Sequence, residues 1–512
     1  MLVKTYGSAV FGIEATTITI EVNVDKGISF ILVGLPDSAV KESQQRIKAA
    51  LTNNGFKYPM KEITINMAPA DIRKEGSTFD LPIALGILAA SEQVTAVKLG
   101  EFIVLGELSL DGSLKPMKGI LPIALKAKQE GFRGIILPKE NAKEAAIVSE
   151  LEIYGASTLK EVVAFFNDES ELTRSIVDIT QEFYDKLDSL EVDFRDVKGQ
   201  QNIKRAFEIA ASGGHNVILI GPPGAGKSML AKRLPTILPP MSINESLETT
   251  KIHSVAGKVD AGSGLVTHRP FRKPHHTISD VALVGGGGYP QPGEISLAHN
   301  GVLFLDELPE YKRSVLEVMR QPLEDRYVTI SRAKFTIEYP AGFMLIAAMN
   351  PCPCGYYNHP DKDCVCAPGI VQNYLNKISG PLLDRIDLHV EVTPVSFDEL
   401  AHHQPEEGSF DIRQRVVEAR LVQENRFKEN SQTHCNAQMT SKELRKYCQI
   451  DESGNAILKK AMDTLGLSAR AYDRILKVAR TIADLEKSES IETRHIAEAI
   501  QFRSLDREGW AK

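Results

Sequence analysis

Residues Gly221, Pro222, Pro223, Gly224, Ala225, Gly226, Lys227 and Ser228 spell a complete phosphate-binding loop. The apolar run Asn216–Ile220 directly before it reads as the buried strand such a loop requires. A strand, this loop and a following helix together restrict the middle of the chain to an α/β arrangement built on a parallel sheet. The glycines let backbone N–H groups turn inward onto phosphates. Lys227 supplies a point charge to the β- and γ-phosphates, and Ser228 offers a hydroxyl to Mg²⁺ at the start of the next helix. The loop therefore predicts a site for ATP or GTP.

Further apolar runs extend this reading. Gly301–Leu305 ends in Asp306 and Glu307, a buried parallel strand delivering two carboxylates at its C-terminal end. Asp306 is expected to hold Mg²⁺ through water, and Glu307 to polarise the attacking water as general base. The acidic pair ahead of Leu308 and Pro309 would also suit a helix cap, but a full phosphate loop upstream favours the catalytic reading. Phe343–Met349 stops at Asn350 and looks like the sensor strand of the AAA+ class, whose terminal Asn orients the hydrolytic water. In Ser379–Asp387, Arg385 fits an arginine finger reaching into a neighbouring subunit's nucleotide. Near the C-terminus Ser468 is a candidate N-cap, with Arg470 in the first helical turn. A cation there opposes the helix dipole, so Arg470 suggests a role beyond helix stability and resembles a second sensor arginine.

In this order the motifs resemble those of the magnesium-chelatase-like AAA+ ATPases of the YifB/ComM family, over nearly the whole chain. The most specific stretch is Arg269–Ser279, followed by Gly285–Gly288 and Pro292–Glu307. The resemblance implies a helix-2 insert projecting toward the pore of an oligomeric ring, usually a hexamer. It also implies ATP-driven migration of branched DNA during natural transformation. Asp193–Gln200 resembles the AAA+ segment lying beside the adenine, which favours ATP over GTP.

The residues around that insert give physical support. Arg269, Phe271, Arg272 and Lys273, with His275 and His276, mix cations with an aromatic ring beside a glycine run, a combination suited to gripping a phosphate backbone. The plainer reading is a basic loop paired with acidic neighbours. A metal at His275 and His276 would need further convergent ligands, and none stands at helical spacing. With 60 basic and 67 acidic residues the net charge is −7, so binding to branched or single-stranded DNA would have to be local, through a lined pore or a patch repeated around a ring.

No apolar run approaches the ~20 residues needed to cross a bilayer, and the N-terminus lacks a cationic region followed by an apolar stretch, so a cytoplasmic protein with no membrane partner is expected. In a reducing compartment Cys352, Cys354, Cys364 and Cys366 read as a structural Zn²⁺ site before they read as disulfides. Pairs one residue apart depart from the usual knuckle spacing, which leaves free thiols as the alternative. His359 and His389 are possible substitute ligands, while Cys435 and Cys448 read as ordinary thiols.

Ahead of the motor, residues 1–170 carry alternating strand patterns, Ile18–Val24 and Ile63–Met67, around an amphipathic helix at Ser38–Leu51. This α+β domain resembles the Lon-protease-like (S5-like) fold in the segments Arg73–Ala84 and Gly106–Gly119. Laid on the Lon motif, the nucleophile's position falls on Thr78 and the catalytic lysine's on Leu121. A dyad without its base cannot activate a hydroxyl. Using Ser77 with Lys118 or Lys126 would require the register to slip in both segments. The domain therefore reads as a catalytically inactive, ChlI-type binding or assembly module, and an ATP-dependent protease is disfavoured.

The expected organisation is this Lon-like domain, a linker over 171–192, an α/β AAA+ core over 193–395 with a four-cysteine insert at 352–366, and an α-helical lid over 396–512. The expected function is a DNA translocase or helicase. The alternative is a magnesium-chelatase-type ATPase remodelling a protein partner. The four cysteines and the front domain favour the former, because the chelatase motor subunit is expected to lack that domain.

Overall fold

Residue alternation sets the first part of the chain. In Glu14–Asp25 the side chains of Ala15, Ile18, Ile20, Val22 and Val24 are buried while most of their neighbours stay partly exposed, as one face of a half-covered sheet requires. The computed structural model describes residues 1–503 apart from 75, 187–191, 260–263, 289, 333–334, 358, 360–361, 368, 396–405 and 431–432. Part of the expected linker, and the start of the expected lid, lie outside the described residues.

The chain divides into two units. The first comprises Met1–Lys186 together with Ile243–Thr267, and the second Leu187–Ser242 with His268–Lys512. In the first unit, β1 (Leu2–Phe11), β2 (Glu14–Asp25), β3 (Phe30–Val33), β4 (Glu62–Ala68), β5 (Phe102–Val104), β6 (Gly134–Pro138) and β7 (Glu152–Ala156) form one mixed sheet in the order β3-β4-β2-β1-β5-β6-β7. β1, β2 and β4 pair antiparallel and the remaining ladders are parallel. Helix α1 (Ser38–Asn53) starts where the Asp37 side chain accepts the Val40 N–H at 2.8 Å. Helix α2 (Asp80–Ala90) is buried along its whole length, and α3 (Ile120–Gln129) follows.

The unit departs from the expected front domain in two ways. It runs past residue 170 to Lys186, and it takes in the helix Ile243–Val255 from the middle of the motor sequence. That helix packs on α3, with the Gly119 N–H donating to the Ser254 carbonyl at 3.1 Å. Ser246, Thr249 and Thr250 are among its buried residues, so no apolar stripe marks the helix in the sequence. Thr249 and Thr250 satisfy their hydroxyls on the carbonyls of Glu245 and Ser246, four residues back.

The second unit carries the expected α/β core. Helix α4 (Gln201–Gly213) precedes β8 (Val217–Ile220), and helix α5 (Lys227–Ile237) follows the phosphate loop. With β9 (Phe271–Arg272), β10 (Val302–Leu305), β11 (Met344–Met349) and β12 (Leu388–Glu391), the order is β9-β10-β11-β8-β12, all parallel. A two-stranded ribbon, Tyr327–Arg332 with Phe335–Pro340, precedes β11 and was not expected from the sequence. Helices α6 (Ser409–Phe427), α7 (Glu452–Leu465), α8 (Ala469–Leu485) and α9 (Thr493–Gln501) form the C-terminal block. Phe207, Leu219, Phe304, Val416, Ile475 and Ile496 belong to one hydrophobic cluster, so this block shares a core with the sheet.

One buried carboxylate joins these parts. Asp387, 2 % exposed at the start of β12, accepts the Asn216 N–H at 3.0 Å, faces His215 Nδ1 at 3.4 Å and pairs with Arg474 of α8. Burial pushes its carboxyl up, but the Arg474 charge and the His215 contact outweigh this and hold it well below the usual carboxylate range. Its stabilising effect is therefore complete above the ordinary Asp value of about 3.9 and is lost as pH falls below it. Asp387→Asn keeps the shape but leaves Arg474 without a counter-charge, so unfolding free energy should fall by about 3 kcal/mol. Urea denaturation of the variant measures this, and an unchanged midpoint would rule out the role.

Candidate functional site

The parallel order brings the ends of β8, β10 and β11 to one edge of the sheet, where open α/β sheets bind ligands. Gly224 and Gly226 adopt φ of +80° and +86°, the left-handed turn that allows the loop to wrap back before α5 begins at Lys227. Lys227 Nζ donates to the carbonyls of Gly221 at 2.6 Å and Pro222 at 2.9 Å, and to Asn350 Oδ1 at 3.1 Å. Burial lowers its pKa, against the opposing fields of Asp306 and Glu307. Lys227, Asn350 and the acidic pair Asp306 and Glu307 thus meet in one place.

Ser228 Oγ donates to Asp306 Oδ2 at 2.6 Å, and Lys273 Nζ lies 2.8 Å from the same oxygen. Burial raises the Asp306 pKa, but the hydrogen bonds from Lys273 and Ser228 prevail and hold the carboxylate below its ordinary value. Glu307 occupies a left-handed conformation, φ 54° and ψ 47°, and its side chain is 57 % exposed. It makes no side-chain cap to the short helix Leu308–Glu310, and its Oε2 lies 3.1 Å from His276 Nδ1. The helix-cap reading of the acidic pair does not describe either residue.

The basic stretch runs into the core sheet. β9 is an edge strand of the core sheet, and its register with β10 sets Phe271 opposite Val302 and Arg272 opposite Leu303. Phe271 stacks on Phe304 at 5.9 Å. Arg269 donates to the carbonyls of Pro239 at 2.6 Å and Asn300 at 2.7 Å. Arg272 grips Glu294 through two hydrogen bonds of 2.6 and 2.7 Å, and Lys273 reaches Asp306. Each of these side chains is thus engaged within the second unit. The plainer reading, basic residues paired with acidic neighbours, describes Arg272 and Lys273, and His276 Nδ1 lies beside Glu307.

The roles of Lys273 and His276 against the two carboxylates were missed in the sequence. Their signal was positional: a strand parallel to Val302–Leu305 carries the residues beyond its own end toward Asp306 and Glu307. Tyr311 fixes that segment by donating its hydroxyl to the Pro274 carbonyl at 2.7 Å.

Arg385 is nearly buried, its side chain 8 % exposed, donating to the Pro381 carbonyl and pairing with Glu324. Arg470 lies in the first turn of α8, whose N-cap Ser468 accepts the Ala471 N–H at 3.2 Å. Arg470 reaches Asp384 at 3.5 Å, one residue from Arg385, so both arginines converge on one segment. Cys352, Cys354, Cys364 and Cys366 bring all four sulfurs within 4.8 Å of one another. Neither His359 nor His389 belongs to this group; His389 lies buried in β12. His275 and His276 belong to no metal-ligand group among the described residues.

In the first unit, Ser77 donates its hydroxyl to Glu107, Lys126 pairs with Glu130 at 3.1 Å, and Leu121 is buried with its N–H on Glu144 at 3.0 Å. No helix among the described residues is long and apolar enough to cross a membrane.

Comparison with known proteins covers each part of the chain. Family models described as magnesium chelatase, subunit ChlI, match residues 193–400; as subunit ChlI of Mg-chelatase, 20–141; and as the ChlI C-terminal part, 406–503. Competence protein ComM of Haemophilus influenzae is 45% identical over 504 residues, 98% of this chain and 97% of that protein. YifB of Escherichia coli is 44% identical over 98% of this chain and 96% of its own length. Lon protease 2 of Bacillus subtilis is 30% identical over 31% of this chain and 33% of its own. The model over 20–141 falls inside the expected front domain.

Glu307→Gln removes the carboxylate expected to act as general base while keeping an oxygen for His276. ATP affinity should stay within about twofold while kcat falls by at least about 100-fold, the range of a lost general base. Equilibrium binding and steady-state turnover measure both, and loss of binding would overturn the assigned role.

Proposed function

The chain belongs to the magnesium-chelatase-like AAA+ family that includes ComM and YifB, and on that footing we propose that it is an ATP-driven motor acting as a ring, usually a hexamer, on branched or single-stranded DNA. The observation that supports turnover is the convergence of Lys227, Ser228, Asp306, Glu307 and Asn350 at one sheet edge.

The residues fit a metal–nucleotide complex. The Ser228 hydroxyl and the Asp306 carboxylate already meet, and the Lys273 ammonium supplies positive charge on the same carboxylate oxygen. Bound Mg²⁺ would neutralise charge on the phosphate oxygens. Lys227 exchanges the carbonyls of Gly221 and Pro222 for the β- and γ-phosphates. Asn350 orients the attacking water, and Glu307 takes its proton after leaving His276. Arg385 from the neighbouring subunit stabilises the developing charge once it is released from Glu324. Arg470, held beside it through Asp384, transmits the change to the C-terminal helices, which act as a lid and pull on the DNA.

The DNA reading rests on the family: the Haemophilus relative is named a competence protein, and the resemblance implies branch migration. The second reading, remodelling of a protein partner as in a chelatase, draws on the ChlI family models that match all three parts of the chain. The discriminating measurement is ATP-dependent displacement of a labelled strand from forked and four-way DNA, with Lys227→Ala as control. We expect branch-dependent displacement that the control abolishes. ATP hydrolysis indifferent to every DNA tested would favour the chelatase-type reading.

A further inference from the structure

We propose that the four-cysteine cluster is a Zn²⁺ site whose work is to brace the phosphate loop, so that nucleotide affinity depends on the metal. This rests on reading residues 221–228 as the ATP site. The six cysteines are all free, and Cys352, Cys354 and Cys364 place their sulfurs 3.3 to 3.7 Å apart. Four sulfurs at about 2.3 Å from one tetrahedral Zn²⁺ stand roughly 3.8 Å from each other, close to this spacing. Four protein thiolates complete the tetrahedron, which makes the site structural, with no position open to a substrate.

The cluster's position gives it a further task. Cys352 is buried two residues beyond Asn350, the partner of Lys227 at 3.1 Å. The Gly355 N–H donates to the Cys352 carbonyl at 3.0 Å and closes a turn between the first cysteine pair and the loop that follows. At Gly355 a Cβ would stand 2.4 Å from Cδ and 2.8 Å from Cγ of Pro223, inside the phosphate loop. Its φ of +86° likewise suits glycine alone. The knuckle therefore lies directly against the loop, touching it at Pro223 and, through Asn350, at Lys227. A bound metal ties Cys352 and Cys354 to Cys364 and Cys366. Without it, four thiols have nothing to hold them together, and the turn that backs Pro223 loosens.

The test uses the full chain purified under reducing conditions, with zinc measured by inductively coupled plasma mass spectrometry and ATP binding by titration with a fluorescent ATP analogue. We expect one zinc per chain. The pair Cys364→Ser and Cys366→Ser should lose zinc and weaken nucleotide binding by tenfold or more. Gly355→Ala should keep zinc and weaken binding comparably, because its Cβ displaces Pro223; this variant tests the contact even where the cysteine pair fails to fold. Lys227→Ala should keep zinc and lose nucleotide. A parent protein without zinc overturns the metal assignment. Zinc loss with unchanged affinity, or unchanged affinity in Gly355→Ala, overturns the brace. Failure of the zinc-loaded parent to bind nucleotide would instead overturn the ATP reading on which the proposal stands.

Discussion

Asp387 is the point on which the geometry of the second unit depends. A carboxylate this deeply buried is tolerated only when paired and hydrogen-bonded, and its partners come from two separate places in the chain: His215 and Asn216 at the entry to the phosphate-loop strand, and Arg474 on a C-terminal helix. Asn216 extends the link, donating to the Arg385 carbonyl at 3.0 Å and accepting the Leu345 N–H at 2.8 Å. The foot of β8, the foot of β11 and the arginine segment are thus fixed to one another at the end of the sheet opposite the nucleotide edge. Parallel strands of four to six residues, fixed at one end, deliver their far ends to defined places.

At that far edge the polar side chains already have partners within the chain. Lys273 faces Asp306, His276 faces Glu307, and Lys227 turns onto carbonyl oxygens and Asn350. These contacts satisfy charged groups within the chain, and each must be exchanged when phosphates and a metal enter. Affinity for the nucleotide is therefore a difference between two sets of good contacts, one within the chain and one with the ligand.

Much of this was legible in the sequence because the strands beneath the site are buried on both faces. Runs such as Val302–Leu305 and Met344–Met349 carry no polar interruption, and their chemistry-bearing residues sit immediately after the last apolar position. The helix caps at Ser468 and Asp37 were read or readable for a similar local reason. What escaped depends on non-local pairing. Arg272 reads as a free cation until Glu294 is placed opposite it, and the two are 22 residues apart. The helix Ile243–Val255 buries hydroxyls in place of an apolar stripe, so neither its depth nor its host could be read from periodicity.

That helix also bears on how the molecule can be divided. The chain enters the second unit at Leu187, leaves it after Ser242 and re-enters at His268. A fragment ending at Lys186 would lack a helix that its own α3 packs against, and a fragment starting at Leu187 would carry that helix with its buried hydroxyl face turned to water. The two units are separate bodies of structure but not separable lengths of sequence. Exchange of the front unit between relatives would have to replace two stretches of chain together, which ties the inheritance of this domain to that of the motor interrupted to complete it.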